Sequence, residues 1–173
     1  MRKKWLLPLL SVLPLTPWPI AYAFDSAGAS VDTGNGIQVA AAGAEAAPSW
    51  TAYGRAIGGA NPGDLFYVNA TESPADIAVT LLITNTDELI HHYRYLNLKV
   101  GTYRQTADGQ WQPATWWDGN PLPDTYLTLR GAAVTFSLPG QASYKVTIDG
   151  GAFYCYGTGG EGSAAPTFYL TAE

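Results

Sequence analysis

The feature that most narrows the fold of this chain is a rhythm. From Trp50 onward, short runs of β-branched and aromatic residues are cut at fairly regular intervals by Gly, Pro, Asn and Asp. Runs of this kind bounded by turn residues read as strands. They fall at residues 65–68, 77–84, 89–100, 126–129, 133–138, 143–148, 151–156 and 167–171. The breaks carry turn chemistry: Asn61-Pro62-Gly63-Asp64, Ser73-Pro74-Ala75-Asp76, Ala107-Asp108-Gly109, Pro139-Gly140 and Asp149-Gly150-Gly151. Asp-Gly-Gly between two strand runs is a hairpin signal. In Tyr144-Lys145-Val146-Thr147-Ile148 the residues Tyr144, Val146 and Ile148 share one face, opposite Lys145 and Thr147. No helical period of useful length and no internal repeat is visible. The expected fold class is all-β, a single antiparallel β-sandwich.

The N-terminus carries an export pattern. Met1-Arg2-Lys3-Lys4 is a positive cluster, residues 5–20 form an apolar run, and Ala21-Tyr22-Ala23 supplies the small residues signal peptidase accepts. Cleavage is expected before Phe24. A retained membrane span needs about 20 apolar residues; this run is shorter and holds Pro8, Pro14, Pro17 and Pro19, which disfavour a stable helix. The sole cysteine, Cys155, is far from any lipidation position, and the end at Tyr169-Leu170-Thr171-Ala172-Glu173 reads as a strand. The sequence therefore predicts a signal peptide at 1–23, a flexible arm with one short strand at 24–49, and the β-domain at 50–173. It predicts a product that is secreted or held at the cell surface, with no membrane insertion of the mature chain.

Removal of the leader takes three of the nine basic residues, leaving six against fourteen acidic ones in about 150 residues. A mature charge near −8 argues against nucleic acid and anionic membranes as partners, since both call for clustered Lys and Arg. With one cysteine there is no internal disulfide, and a chain of this size can bury enough apolar surface without one. Cys155, within Ala152-Phe153-Tyr154-Cys155-Tyr156, reads as a buried structural thiol.

Catalytic constellations are not evident, and no cofactor is expected. His91 and His92 are neighbours on a run read as a strand, so they would point to opposite faces and could not share a metal ion. No Gly-x-Ser-x-Gly elbow occurs, and nothing singles out two carboxylates from fourteen. One cluster stands out: Trp111, Trp116 and Trp117, beside Gln110, Gln112, Asp118 and Asn120. Aromatic faces next to amides and carboxylates can grip sugar rings; the same residues could instead cap the end of a core.

The segment Phe24-Asp25-Ser26-Ala27-Gly28-Ala29-Ser30-Val31-Asp32-Thr33-Gly34-Asn35-Gly36-Ile37-Gln38-Val39 resembles the opening of mature TasA- and camelysin-type proteins. There a Phe-Thr-Asp-like stretch leads through a Ser-x-Gly-Asn element into the first strand. Asn61-Pro62-Gly63-Asp64 is similar to the family's Pro-Gly-Asp turn, and Ile83-Thr84-Asn85-Thr86 to its Asn-containing turn. Phe168-Tyr169-Leu170-Thr171-Ala172-Glu173 is similar to its closing strand. The resemblance touches both ends and one internal turn, and the middle of the chain does not align. It implies a jelly-roll sandwich that polymerises into extracellular, biofilm-type matrix fibres, an N-terminal strand of one subunit completing the sheet of the next.

Assembly also has a physical argument of its own. An unpaired sheet edge is a template for pairing, and an arm bearing one short apolar strand can add to a neighbour's edge. The same strand can equally pair within its own domain. The residues expected to carry assembly are Phe24, Ile37 and Val39. The expected function is a non-enzymatic surface or matrix protein whose partners are copies of itself; the alternative is an adhesin that binds extracellular glycans through Trp111, Trp116 and Trp117.

Overall fold

The computed structural model describes residues 30–32, 36–53, 56–156 and 164–173. The leader at 1–23, its cleavage site and Phe24 lie outside the described residues. The chain is mostly strand and its sheets are antiparallel, in keeping with an all-β class.

The elements in order are β1 (Ser30–Asp32), β2 (Gln38–Ala41), β3 (Trp50–Ala52), β4 (Ile57–Ala60), β5 (Gly63–Asn69), β6 (Ile77–Ile83), α1 (Thr86–His92), β7 (Tyr93–Gln105), β8 (Trp111–Pro113), β9 (Thr125–Thr128), β10 (Ala133–Leu138), β11 (Ser143–Cys155) and β12 (Phe168–Ala172). A large sheet is organised around β11. Along one edge of β11 runs β7, which in turn carries β8 and β9. Its other edge is shared: the first half pairs with β5, which carries β2 and β1, and the second half with β4, which carries β3. The small sheet has the order β10-β6-β12. Both sheets turn an apolar face into one core cluster that includes Phe66, Val146 and Leu98 from the large sheet and Leu81, Leu138 and Phe168 from the small one. β6 shows the alternation plainly, with Ile77, Val79, Leu81 and Ile83 buried and Thr80 outside, its hydroxyl 2.9 Å from that of Thr135 on β10.

Two sequence expectations are corrected. The run at 89–100 is not one strand. Its first residues belong to α1, which buries Leu89 and places Asp87 and Glu88 in its first turn and His91 and His92 in its last, an order that suits the helix dipole. Fewer than two turns with a single buried side chain leave no period to detect. His91 is exposed and His92 half-buried on this helix, rather than the two alternating on a strand. Asn85, expected in a turn, precedes α1 and ties it to the approach to β12: its Oδ1 accepts from Thr167 N at 2.9 Å and its Nδ2 donates to Ala165 O at 2.8 Å.

The second correction concerns Asp149-Gly150-Gly151, which is not a hairpin. The two runs flanking it are a single strand, β11, because β7 pairs with it along its whole length. The register steps from Ile148↔Val100 to Gly150↔Lys99, so Asp149 is the extra residue of a bulge. Gly150 takes φ +149°, a backbone state glycine adopts readily. Bulges and tight turns draw on the same residues, and the long partner strand decides between them.

Residues 42–48 run along the start of β5 and are hydrogen-bonded to it, Ala42 N donating to Leu65 O at 2.8 Å and Asp64 N to Ala46 O at 2.7 Å. Gly63 permits this approach: a Cβ there would lie 2.0 Å from Pro48 N.

Candidate functional site

Strand alternation leaves one face of β5, β11 and β7 outside the core, and on it a polar and aromatic cluster is assembled. Tyr67 and Lys145 are cross-strand partners, as are Lys145 and Tyr103, so the three stand side by side. Lys145 Nζ lies 2.9 Å from Asp64 Oδ1, with both side chains 19% exposed. The same ammonium sits over two rings, 5.4 Å from the centre of Tyr103 and 5.5 Å from that of Trp111. Cation–π attraction of this kind strengthens as water is excluded. Tyr67 donates to Asp64 Oδ2 at 2.8 Å and Tyr103 to Asp149 Oδ2 at 2.9 Å.

Burial raises the phenol pKa of Tyr67 to about 12, reinforced by its hydrogen bond to Asp64. Tyr103 is likewise pushed up to about 12, by burial and then by Asp149. The folded state thus holds protons that an unfolded phenol would release near pH 10. Stability from these groups is complete below about pH 10 and is lost as pH rises toward 12. Urea midpoints measured across that window should fall with pH, and the fall should be shallower in the Tyr67→Phe/Tyr103→Phe double variant; equal slopes would sink the assignment. Cys155 is buried and free, and burial pushes its thiol pKa up, so the folded protein should resist thiol reagents.

The three tryptophans part company. Trp111 stands on the outer face, its ring 6.1 Å from that of Tyr67, and helps enclose Lys145. Trp116 and Trp117 belong to a hairpin loop closed by the bridge Thr115↔Pro121 and by Trp116 N donating to Asn120 O at 2.8 Å. Asp118 braces its tip, accepting from Asn120 N at 3.0 Å and Nδ2 at 2.7 Å. Trp116 is half-buried, whereas Trp117 is 81% exposed. Among the described residues, neither shares a ring contact with Trp111.

Ile37 and Val39 are buried, at 1% and 4% exposure. β2 pairs with β5 of its own chain, Val39 opposite Val68, and β1 covers the far edge of β2. In the single molecule the arm's strand is therefore seated at home.

Sequence reasoning placed Lys145 and Thr147 opposite the core but not the Asp64–Tyr67–Tyr103–Asp149 grouping around them. Lys145 and Asp64 are 81 residues apart, and only the register of β5 against β11 joins them. Among the described residues no helix is long and apolar enough to cross a membrane, and no three His, Cys, Asp or Glu side chains gather as a metal site would require. Compared with protein-family models and with curated proteins, the sequence finds no match.

Proposed function

We propose that this chain is exported by its N-terminal signal and serves as a non-enzymatic surface or matrix protein whose subunits join by strand addition. In this reading the two sheets form a sandwich of jelly-roll type, and the strand exchanged is β2. The observation that carries it is the seat of β2. Ile37 and Val39 are buried at the edge of β5, a site built for a short apolar strand, and the strand filling it lies near the N-terminal end of the chain. A neighbour's arm offers the same residues to the same edge, so exchange replaces each contact with its like. The partial resemblance to TasA- and camelysin-type proteins points the same way.

Negative-stain microscopy of concentrated protein tests the proposal. Filaments are expected from the chain beginning at Phe24, and their loss when residues 24–47 are deleted. A protein that stays monomeric at all concentrations, with or without the arm, would falsify it.

A second reading, a glycan-binding adhesin, is favoured by one observation: Trp117 presents 81% of its surface to solvent at a braced loop tip. An indole held out in this way suits stacking on a sugar ring. On a glycan array the signal should drop in Trp117→Ala, and an unchanged signal would count against the loop.

A further inference from the structure

Six of the nine large apolar side chains left exposed among the described residues gather at one end of the large sheet's outer face. Four of them form a row across the strands. Tyr95 of β7 is the cross-strand partner of Tyr154 on β11, and Tyr154 is the partner of Ile57 on β4. Ile57 O in turn accepts from Tyr53 N, just past β3, at 2.8 Å. Alternation puts the row outside, because Phe153, Cys155 and Leu96 beside it are buried in the core. Next to the row, two residues along each strand, lies a strip of short side chains: Asn97, Ala152 and Gly59, again cross-strand partners. Two tyrosines lean over this strip. Asn97 Nδ2 donates to the Tyr95 hydroxyl at 3.1 Å, and a Cβ on Gly59 would lie 3.0 Å from the Tyr53 hydroxyl oxygen and 3.1 Å from its Cε2. These rings therefore lie along the sheet rather than standing off it, and Tyr53 remains 71% exposed.

At the Tyr95 end the row runs into a cleft of about 410 Å³, whose lining includes Ile90, Tyr156, Arg94 and Arg130 and no Asp or Glu. Arg94 is the extra residue of a second bulge, where the register steps from Tyr154↔Tyr95 to Cys155↔Tyr93. Arg130 comes from the turn after β9, which Thr128 N closes by donating to Gly131 O at 2.9 Å. Lys99 and Lys145 are each paired with a carboxylate. Arg94 and Arg130 have no hydrogen bond or ion pair among the described residues. Two unpaired guanidiniums on one cleft of an acidic chain call for an anion, and their planar forks match a carboxylate.

Size then narrows the occupant. Tyrosine and arginine also anchor protein interfaces, but the row spans three strand spacings, about 14 Å, and is one residue repeat, about 7 Å, wide. Roughly 100 Å² is far below the about 800 Å² per partner of a stable protein interface. The same strip is long enough for a few sugar rings laid end to end. A sugar ring has C–H groups on its faces, which stack on aromatic rings, and hydroxyls at its rim, which meet the phenol groups. We propose that the row is a stacking platform for a uronate-bearing glycan chain, with rings on Tyr53, Tyr154 and Tyr95 and a carboxylate received by Arg94 and Arg130. The inference rests on the glycan-binding reading but not on Trp117.

Calorimetric titration of the protein with hexagalacturonate and hexamannuronate tests it, with neutral cellohexaose and polyglutamate as controls. At least one uronate oligomer should bind saturably, cellohexaose at least tenfold more weakly, and polyglutamate not at all. Tyr95→Ala/Tyr154→Ala removes two exposed rings and should weaken uronate binding about tenfold. Arg94→Gln/Arg130→Gln should bring it down to the cellohexaose level, and it supplies the readout if the tyrosine variant fails to fold. No saturable binding of either uronate, equal affinity for cellohexaose, or equal affinity for polyglutamate (a site for acidic protein) would each overturn the platform. So would undiminished affinity in either folded variant. Trp117→Ala separates the two sites: unchanged uronate affinity there leaves the row standing without the tryptophan loop. Loss in Trp117→Ala with none in the tyrosine variant assigns the sugar to the loop and sinks the row.

Discussion

Phe153→Ala is expected to lower stability by about 3–5 kcal/mol, the range for removing a buried phenylalanine. Phe153 lies in the second half of β11, where β4 and β3 dock. Its ring meets Trp50 of β3 edge-on at 5.8 Å and Tyr93 of β7 at 5.7 Å, so one side chain joins three strands. It also fills the space over Gly58 of β4, where an added Cβ would lie 2.0 Å from its Cζ and 2.5 Å from Thr51 O. Gly58→Ala alone should therefore cost about 1–3 kcal/mol by overpacking. In the double variant the ring clash is gone but the contact with Thr51 O persists. The pair should thus be less destabilised than the sum of the singles, without full rescue. Urea unfolding of the four proteins gives the coupling directly, and strict additivity would mean that Phe153 does not occupy the space over Gly58.

Val39→Asp is expected to detach the arm rather than unfold the domain. A carboxylate cannot remain unpaired where Val39 stands, opposite Val68 and 4% exposed, because burying an isolated charge costs far more than a short strand can supply. The lesser cost is to release β2 from β5. That forfeits the burial of Ile37 and Val39, at roughly 1.5–3 kcal/mol each, so the loss is capped near 3–6 kcal/mol. Hydrogen exchange should show amide protection vanishing at residues 38–41 while the β11–β7 ladder keeps its own. If β2 is also the exchanged strand, filaments disappear in the same variant. Protection retained across residues 38–41 would contradict the seat described for Val39.

The strands were legible wherever one face alone is buried. β6, β10 and the first half of β11 alternate between core and solvent, and the sequence marks them nearly to the residue. Less legible were elements whose identity depends on a distant partner. β4 reads Ile57-Gly58-Gly59-Ala60, with no propensity for a strand; it becomes one because β11 and β3 flank it and because its glycines make room for Phe153 and Tyr53. β8 is three residues held by register with β7. The bulge at Asp149 used turn chemistry for another purpose, and α1 was too short to show a period. The tryptophan cluster was visible as composition, but its division into one residue that encloses Lys145 and two in a separate loop is set by strand pairing. Asp64, Tyr67, Tyr103 and Asp149 were unremarkable singly, since their meeting depends on three strands being aligned.

The place of β11 in the chain has a consequence for when the molecule can fold. The strand on which the large sheet is organised occupies residues 143–155, near the end, while the β5 edge it joins was made some eighty residues earlier. Until that late segment arrives, β2 with β5, β3 with β4 and β6 with β10 can pair, but the two halves of the large sheet have no strand to join them. Contacts of such long sequence separation close slowly. Completion of the large sheet therefore waits on the pairing of residues 143–155 with strands laid down well before them.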